Sequence, residues 1–287
     1  TGVFNIEKEL IDKFPRLDIS SRKLDIISLI ADVQDARRIE RIFQEFRPNI
    51  VFHAAAYKHV PLMEEHPEEA IKNNIFGTKI IADLAQKHGA EKLIFISTDK
   101  SVNPKSIMGA SKRVGEMICQ SLNGNLTKFI SVRFGNVLDS RGSVIPIFRE
   151  QIKKGGPVEI THPEMKRYFM TCSEACLLVM QAGAMGKGGE VFVLDMGEPI
   201  KIIDLAKEMI KFSGLEQDKD IPVVFTKPRP GEKLFEDILM AEEGTTATQN
   251  QKILIAKLGQ VNPEKLNSGL ERLKRAAEQG EKKEISQ

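Results

Sequence analysis

Residues Lys92 to Glu116 read Lys-Leu-Ile-Phe-Ile-Ser-Thr-Asp-Lys-Ser-Val-Asn-Pro-Lys-Ser-Ile-Met-Gly-Ala-Ser-Lys-Arg-Val-Gly-Glu. The apolar run Leu93 to Ile96 is too short for a helix and too apolar for a surface loop, so it reads as a buried parallel strand. Ser97, Thr98, Asp99 and Lys100 follow it directly, at the carboxyl end of a strand, where open α/β sheets hold their ligands. Pro104 then breaks the chain. Ile107 to Gln120 resumes with helical spacing, which sets Met108 and Lys112 one turn apart on one face.

Working towards the N-terminus, Asn49 to Phe52 predicts a strand running into His53-Ala54-Ala55-Ala56-Tyr57-Lys58. Small residues at a strand end let the backbone come close to a bound group. Pro67 to Lys87 has helical spacing, with Asn73, Asn74 and Gly77 embedded in it, and asparagine is a poor mid-helix residue. Ala36 to Phe46 predicts a helix, Leu24 to Ala31 a strand ending at Asp32-Val33, and Ile6 to Phe14 an amphipathic helix. Asp32 is equally a turn or cap residue by its own chemistry.

Towards the C-terminus, Lys128 to Arg133 predicts a strand that opens into the loop Phe134 to Pro146. Backbone N–H groups and the Asn136 amide there, before an Ile147 to Lys153 helix, suit a diphosphate or a base edge. Gly155 to Ile160, an Arg167 to Thr171 strand, a Ser173 to Met185 helix and a Glu190 to Leu194 strand follow. In Arg229-Pro230-Gly231-Glu232-Lys233 an arginine stiffened by Pro228 and Pro230 suits phosphate, and Glu232 can accept from a ribose hydroxyl; an exposed charged turn is the alternative. Pro263 to Gln279 predicts a polar amphipathic helix and Glu281 to Gln287 a frayed tail.

A strand-end Ser/Thr followed by a helix bearing x-x-x-Lys resembles the catalytic segment of extended short-chain dehydrogenases/reductases, in which a Tyr normally stands four residues before the Lys. Here that position is Met108. The two tyrosines, Tyr57 and Tyr168, are followed four places on by Pro61 and Cys172, so no Tyr-x-x-x-Lys exists. Ser-Thr-Asp-Lys-x-x-x-Pro followed by Met-Gly-Ala-x-Lys looks like bacterial nucleotide-sugar 4,6-dehydratases acting on UDP-N-acetylglucosamine, in the longer polysaccharide-biosynthesis branch with Met in place of Tyr. The resemblance runs from about Asn5 to Lys257.

That resemblance implies a doubly wound, Rossmann-type α/β fold: an NAD-binding region over 1–135 to which later segments return, a mainly substrate-binding lobe over 136–260, and a C-terminal helix and tail over 261–287. It places NAD against Asp32, Val33, Ala54, Ala55, Ala56, Asn74 and Lys112. It places the UDP-N-acetylhexosamine against Lys58, Asn136, Ser143, Val144, Arg167, Arg229 and Glu232. The reaction expected is dehydration to a UDP-4-keto-6-deoxy-N-acetylhexosamine, with Thr98, Asp99, Lys100, Met108 and Lys112 as the catalytic group. Elimination needs one base and one acid, read as Lys100 and Asp99, with the reverse assignment open. Met108 has no transferable proton, which leaves Thr98 through solvent, Asp99 or water to take the proton of the C4 hydroxyl. A C4 epimerase and a non-catalytic nucleotide-sugar sensor are the competing readings; adjacent Asp99 and Lys100 speak against the first.

No Gly-rich turn follows Thr1-Gly2, since glycines are absent near Asn5 and Lys8. The first βαβ unit of the fold is therefore expected to be missing and to lie upstream in a parent protein, with membrane helices ahead of it, and this chain alone is expected to bind NAD poorly. With 287 residues, 41% hydrophobic and 29% charged, the composition is that of a globular domain, and a formal charge of +2 gives no argument for nucleic acid. No apolar run approaches the ~18 residues of a membrane helix, so a cytoplasmic location is expected, at the cytoplasmic face of the inner membrane in a longer parent. A homo-oligomer, dimer or higher, is expected. Cys119, Cys172 and Cys176 have no metal-ligand spacing with the five histidines and read as small core residues.

Overall fold

The computed structural model describes residues 2–13, 18–19, 22–23, 26–124, 126–140, 142–237 and 244–285. The strand Lys92–Ile96 is buried on both faces, which is why its sequence is apolar without alternation. Leu93 and Phe95 join one apolar layer with Leu84, Ile118, Cys119, Leu266 and Leu270, from the helices Gly77–Lys87, Ile107–Leu122 and Pro263–Gln279. Ile94 joins the opposite layer with Ala175, Leu178 and Ala182 of the helix Cys172–Met185.

Six strands make the sheet: β1 (Ile50–His53), β2 (Lys92–Ile96), β3 (Lys128–Arg133), β4 (Val191–Leu194), β5 (Thr245–Ala247) and β6 (Ile253–Ala256). Their spatial order is β5-β6-β4-β3-β2-β1. Strands β1 to β4 are parallel, while β6 pairs antiparallel with both β4 and β5. This is the expected Rossmann-like arrangement. At its rim β1 pairs with β2 only, among the described residues, and Ile50 and Phe52 are about half exposed.

A smaller lobe forms around Phe148, Ile152, Ile160 and Ile210, carried by the helices Val144–Lys153 and Ile202–Phe212 and the paired strands Val158–Ile160 and Val223–Phe225. Lys100 and Asn136, just past the carboxyl ends of β2 and β3, share a cavity wall with Phe148, Ile160 and Ile202 of this lobe.

Four expectations need correction. Residues 26–35 form no strand: Ile26, Ile27 and Ile30 are exposed, and among the described residues no neighbouring strand offers the apolar run a ladder to join; Leu24 and Asp25 lie outside the described residues. The 167–171 strand is divided at Tyr168, Lys166–Arg167 pairing antiparallel with Ile200–Lys201 and Phe169–Met170 parallel with Asn136–Val137. The tail is not frayed throughout, since Lys282–Ile285 is helical and Ile285 is buried in the same layer as Leu266. Cys119 is buried, but Cys172 and Cys176 stand exposed on the outward face of their helix. The N-terminal helix spans Gly2–Lys13, with Phe14 outside the described residues. No helix among the described residues is long and apolar enough to cross a membrane.

Candidate active site

Beyond β2 the chain stays against β3, Ser97 donating its N–H to Val132 O at 2.8 Å and Asp99 to Phe134 O at 3.1 Å, then turns through Asp99–Ser101. Glu116, fully buried on the Ile107–Leu122 helix, holds both ends of that turn. Its Oε1 accepts from Ser97 Oγ at 2.6 Å, Ser101 Oγ at 2.8 Å and Arg133 Nε at 2.8 Å, while Oε2 accepts from Arg133 Nη2 and Arg113 Nη1, each at 2.8 Å. Burial pushes the Glu116 carboxyl up, but Arg133, Ser97 and Arg113 outweigh it and hold it below the usual range. Gly109 lets the helix start against this turn: a Cβ there would lie 2.2 Å from Lys100 O.

Within the turn, Thr98 Oγ1 donates to Asp99 Oδ1 at 2.8 Å, and Lys100 Nζ donates to the same oxygen at 3.0 Å and to Asn136 Oδ1 at 3.3 Å. Glu236 Oε1 lies 3.3 Å from Lys100 Nζ and 3.4 Å from Arg167 Nε. Burial pulls the Lys100 ammonium down, but Asp99 and Glu236 more than offset it, so its pKa is raised and it is a cation at neutral pH. That argues against Lys100 as the resting base. Asp99 lies behind Lys100, 1% exposed at its side chain, and lines neither of the cavities that meet here. Gly135 leaves room for it, since a Cβ there would come 3.1 Å from Asp99 Oδ2.

Two cavities share Lys58, Lys100, Asn136 and Ser140 in their walls. The first, about 290 Å³, is lined by Ala54, Ala56, Thr98, Met108 and Lys112. Lys112 makes no hydrogen bond among the described residues and holds its Nζ 4.0 Å from the centre of the Phe95 ring. Burial pushes its ammonium down to about 8, with Cys119 and Glu116 pulling weakly the other way. Because that value lies below the ordinary 10.5, the ammonium opposes folding by roughly 3 kcal/mol at pH 7. The cost is full below the folded pKa and fades as pH rises towards the unfolded one. Lys112→Met is thus expected to raise the thermal midpoint at neutral pH by about 5 °C or more, an advantage that shrinks in alkaline buffer; calorimetry of both proteins across pH checks it.

The other cofactor candidates, Asn74, Asp32, Val33 and Ala55, line neither cavity. Asn74 uses its amide within the protein, bonding Tyr57 N and O at 2.8 and 2.9 Å, Ser111 Oγ at 3.0 Å and Asn73 Nδ2 at 3.0 Å, inside a π-helical turn, Ile71–Phe76. This ties the end of β1 to the Ile107–Leu122 helix. His53 Nε2 is 2.9 Å from Thr78 Oγ1, whose proton goes to Asn74 O, and burial with the Lys112 charge drives His53 down to about 3, so it is neutral. Asp32 Oδ1 accepts from Gln34 N at 2.9 Å in an exposed turn, Val33 packs on Gly77, and Ala55 lines neither cavity.

The second cavity, about 310 Å³, is lined by Ser143, Val144, Arg167, Arg229 and Glu232, and also by Lys233 and Glu236. Six lysines and arginines in its wall face three glutamates, a balance that favours an anion. Ser143 precedes the Val144–Lys153 helix, with its Oγ buried and unpartnered among the described residues. Burial lowers the Lys58 pKa. Glu232 spends one oxygen on the turn, accepting from Arg229 N at 2.9 Å. Lys233 Nζ donates to Val102 O at 2.7 Å, tying this segment to the Asp99–Ser101 turn. Glu116, Arg133, Lys233 and Glu236 were not singled out in the sequence; a second acid four residues after Glu232 was the one available signal.

The capsular polysaccharide biosynthesis protein CapD of Staphylococcus aureus is 54% identical over 244 residues, 84% of this chain. The chain spans about two-fifths of the length of the curated relatives it matches this closely. Among solved structures, Pen from Bacillus thuringiensis superposes with a TM-score of 0.77 at 32% identity, over 88% of this chain and 78% of that one. UDP-glucose 4-epimerase from Thermotoga maritima, solved with UDP-glucose, gives 0.66 at 25% identity, over 82% and 85%. The family described as polysaccharide biosynthesis protein matches residues 2–258, and with that span this chain belongs to it.

Proposed function

We infer that this chain carries the catalytic core of a nucleotide-sugar-modifying enzyme, and that the reaction is NAD-dependent 4,6-dehydration of UDP-N-acetylglucosamine. The observation that carries this reading is the position of Lys100, a partly buried cation between two carboxylates at the junction of a small-walled cavity and a basic one. A UDP moiety in the basic cavity would bring its hexose to that junction.

The Ala54 and Ala56 wall, Thr98 and the Lys112 ammonium fit the nicotinamide-ribose half of NAD; pyrophosphate contacts from outside the described residues are part of this proposal. Bound there, NAD would supply a hydride acceptor for C4 and a hydride donor for C6. Thr98 Oγ1 receives the proton of the C4 hydroxyl while passing its own to Asp99 Oδ1, which does the work of the missing tyrosine. Lys112 favours loss of that proton by its charge. Lys100, resting as an ammonium, protonates the departing C6 oxygen. Epimerisation needs the C4 ketone but no group at C6, so the charged Lys100 cluster favours dehydration.

Incubating the full-length protein with NAD and UDP-N-acetylglucosamine tests the reading. A 6-deoxy-4-keto sugar, lighter by one water, is expected; a product epimerised at C4, or binding without turnover, overturns it. Arg229→Ala is expected to weaken UDP binding by ~2 kcal/mol, the loss of a charge-assisted phosphate contact. Calorimetry with UDP measures it, and unchanged affinity would return that turn to an exposed loop.

A further inference from the structure

We propose that Glu236 is the base that takes the C5 proton during elimination, acting beside Lys100 as the acid. This rests on the dehydratase reading and completes it, because elimination needs two groups at the hexose and only one of the two carboxylates paired with Lys100 lines the cavity. Asp99 does not, whereas Glu236 does.

Glu236 is built as a carboxylate held by two basic side chains. Its side chain is 2% exposed, and Oε1 is shared between Lys100 Nζ at 3.3 Å and Arg167 Nε at 3.4 Å. Arg167 is itself fixed, donating Nη1 to Lys166 O at 2.7 Å and Leu234 O at 3.2 Å. The second oxygen, Oε2, is buried with no hydrogen-bond partner among the described residues. A buried carboxylate oxygen left unpaired is costly, and is retained where a ligand supplies the missing proton. Lys100 and Arg167 hold one Glu236 oxygen in place, which leaves Oε2 to meet a C–H proton acidified by the C4 ketone.

The proton inventory then closes. The C4 hydroxyl proton moves through Thr98 to Asp99. Glu236 Oε2 removes the C5 proton, the C5–C6 double bond forms, and the C6–O bond breaks as Lys100 Nζ gives that oxygen a proton, releasing water. Hydride returns to C6, Glu236 returns its proton to C5, and Asp99 hands its proton across 3.0 Å to the neutral Lys100 amine. Every residue ends as it began, and the substrate has lost one water.

Glu236→Gln in the full-length protein, supplied with NAD and UDP-N-acetylglucosamine, separates this from a structural role. Turnover is expected to fall by about a hundredfold or more, while C4 oxidation proceeds, so absorbance of reduced NAD accumulates on the enzyme and UDP affinity is retained. Glu236→Asp, which keeps the carboxylate, is expected to recover at least about tenfold of the lost rate. Near-normal turnover in Glu236→Gln, failure without accumulation of reduced NAD, or a Glu236→Asp as slow as Glu236→Gln would each overturn the assignment while leaving the dehydratase reading intact. A wild-type protein that makes no 6-deoxy-4-keto sugar overturns both.

Discussion

Glu116→Ala is expected to cost this protein roughly 3 to 5 kcal/mol of folding stability, the scale of losing one partner of a fully buried ion pair. Glu116 and Arg133 are both 0% exposed at their side chains. Removing the carboxylate takes the acceptor from Arg133, Arg113, Ser97 and Ser101 together, in a place where water does not reach to replace it. Urea denaturation measures the loss, and a change below about 1 kcal/mol would show the network to be dispensable. The pH dependence has a definite sign. Because the folded carboxyl is held below its ordinary range, the contribution is present at neutral pH and is lost as pH falls through the folded value. Wild type should therefore lose part of its advantage over Glu116→Gln in acid.

Lys100→Met and Asp99→Asn should each lower turnover by about a hundredfold or more, and they should stall at different points. Asparagine at 99 cannot receive the C4 proton through Thr98, so NAD stays oxidised. Methionine at 100 leaves that route in place but supplies no proton to C6, so reduced NAD should build up. Rapid-mixing absorbance on each variant distinguishes the two stalls. UDP affinity should be nearly unchanged in both, because neither group is placed at the phosphates; near-normal turnover in either would remove that residue from the mechanism.

The central strand and its helix were legible because their signals are local. Leu93 to Ile96 is apolar on both faces, Pro104 marks the break, and the spacing of Met108 and Lys112 is that of one helical turn. Glu116 and Glu236 were not legible, since each takes its meaning from partners that only folding brings close: Arg133 lies 17 residues from Glu116, and Lys100 meets Glu236 from the other half of the chain. The direction of the Lys100 charge was hidden for the same reason, since the sequence shows the neighbouring Asp99 but not Glu236, and both raise the Lys100 pKa against burial. Asn74 was noticed as an odd residue in a helix, but its use, clamping Tyr57 to Ser111, needed three segments at once. Leu24 to Ala31 was misread because an apolar run reports a wish for burial and not the presence of a neighbouring strand.

Strand β1 shapes how this molecule behaves in a test tube. Its outer rim has no strand partner among the described residues, and Ile50 and Phe52 present about half of their surface there. A rim of that kind offers a row of backbone donors and acceptors to any strand that arrives, including the same one from another molecule. Concentration should drive rim-to-rim adhesion, and a charged side chain in place of Ile50 would act as a gatekeeper against it.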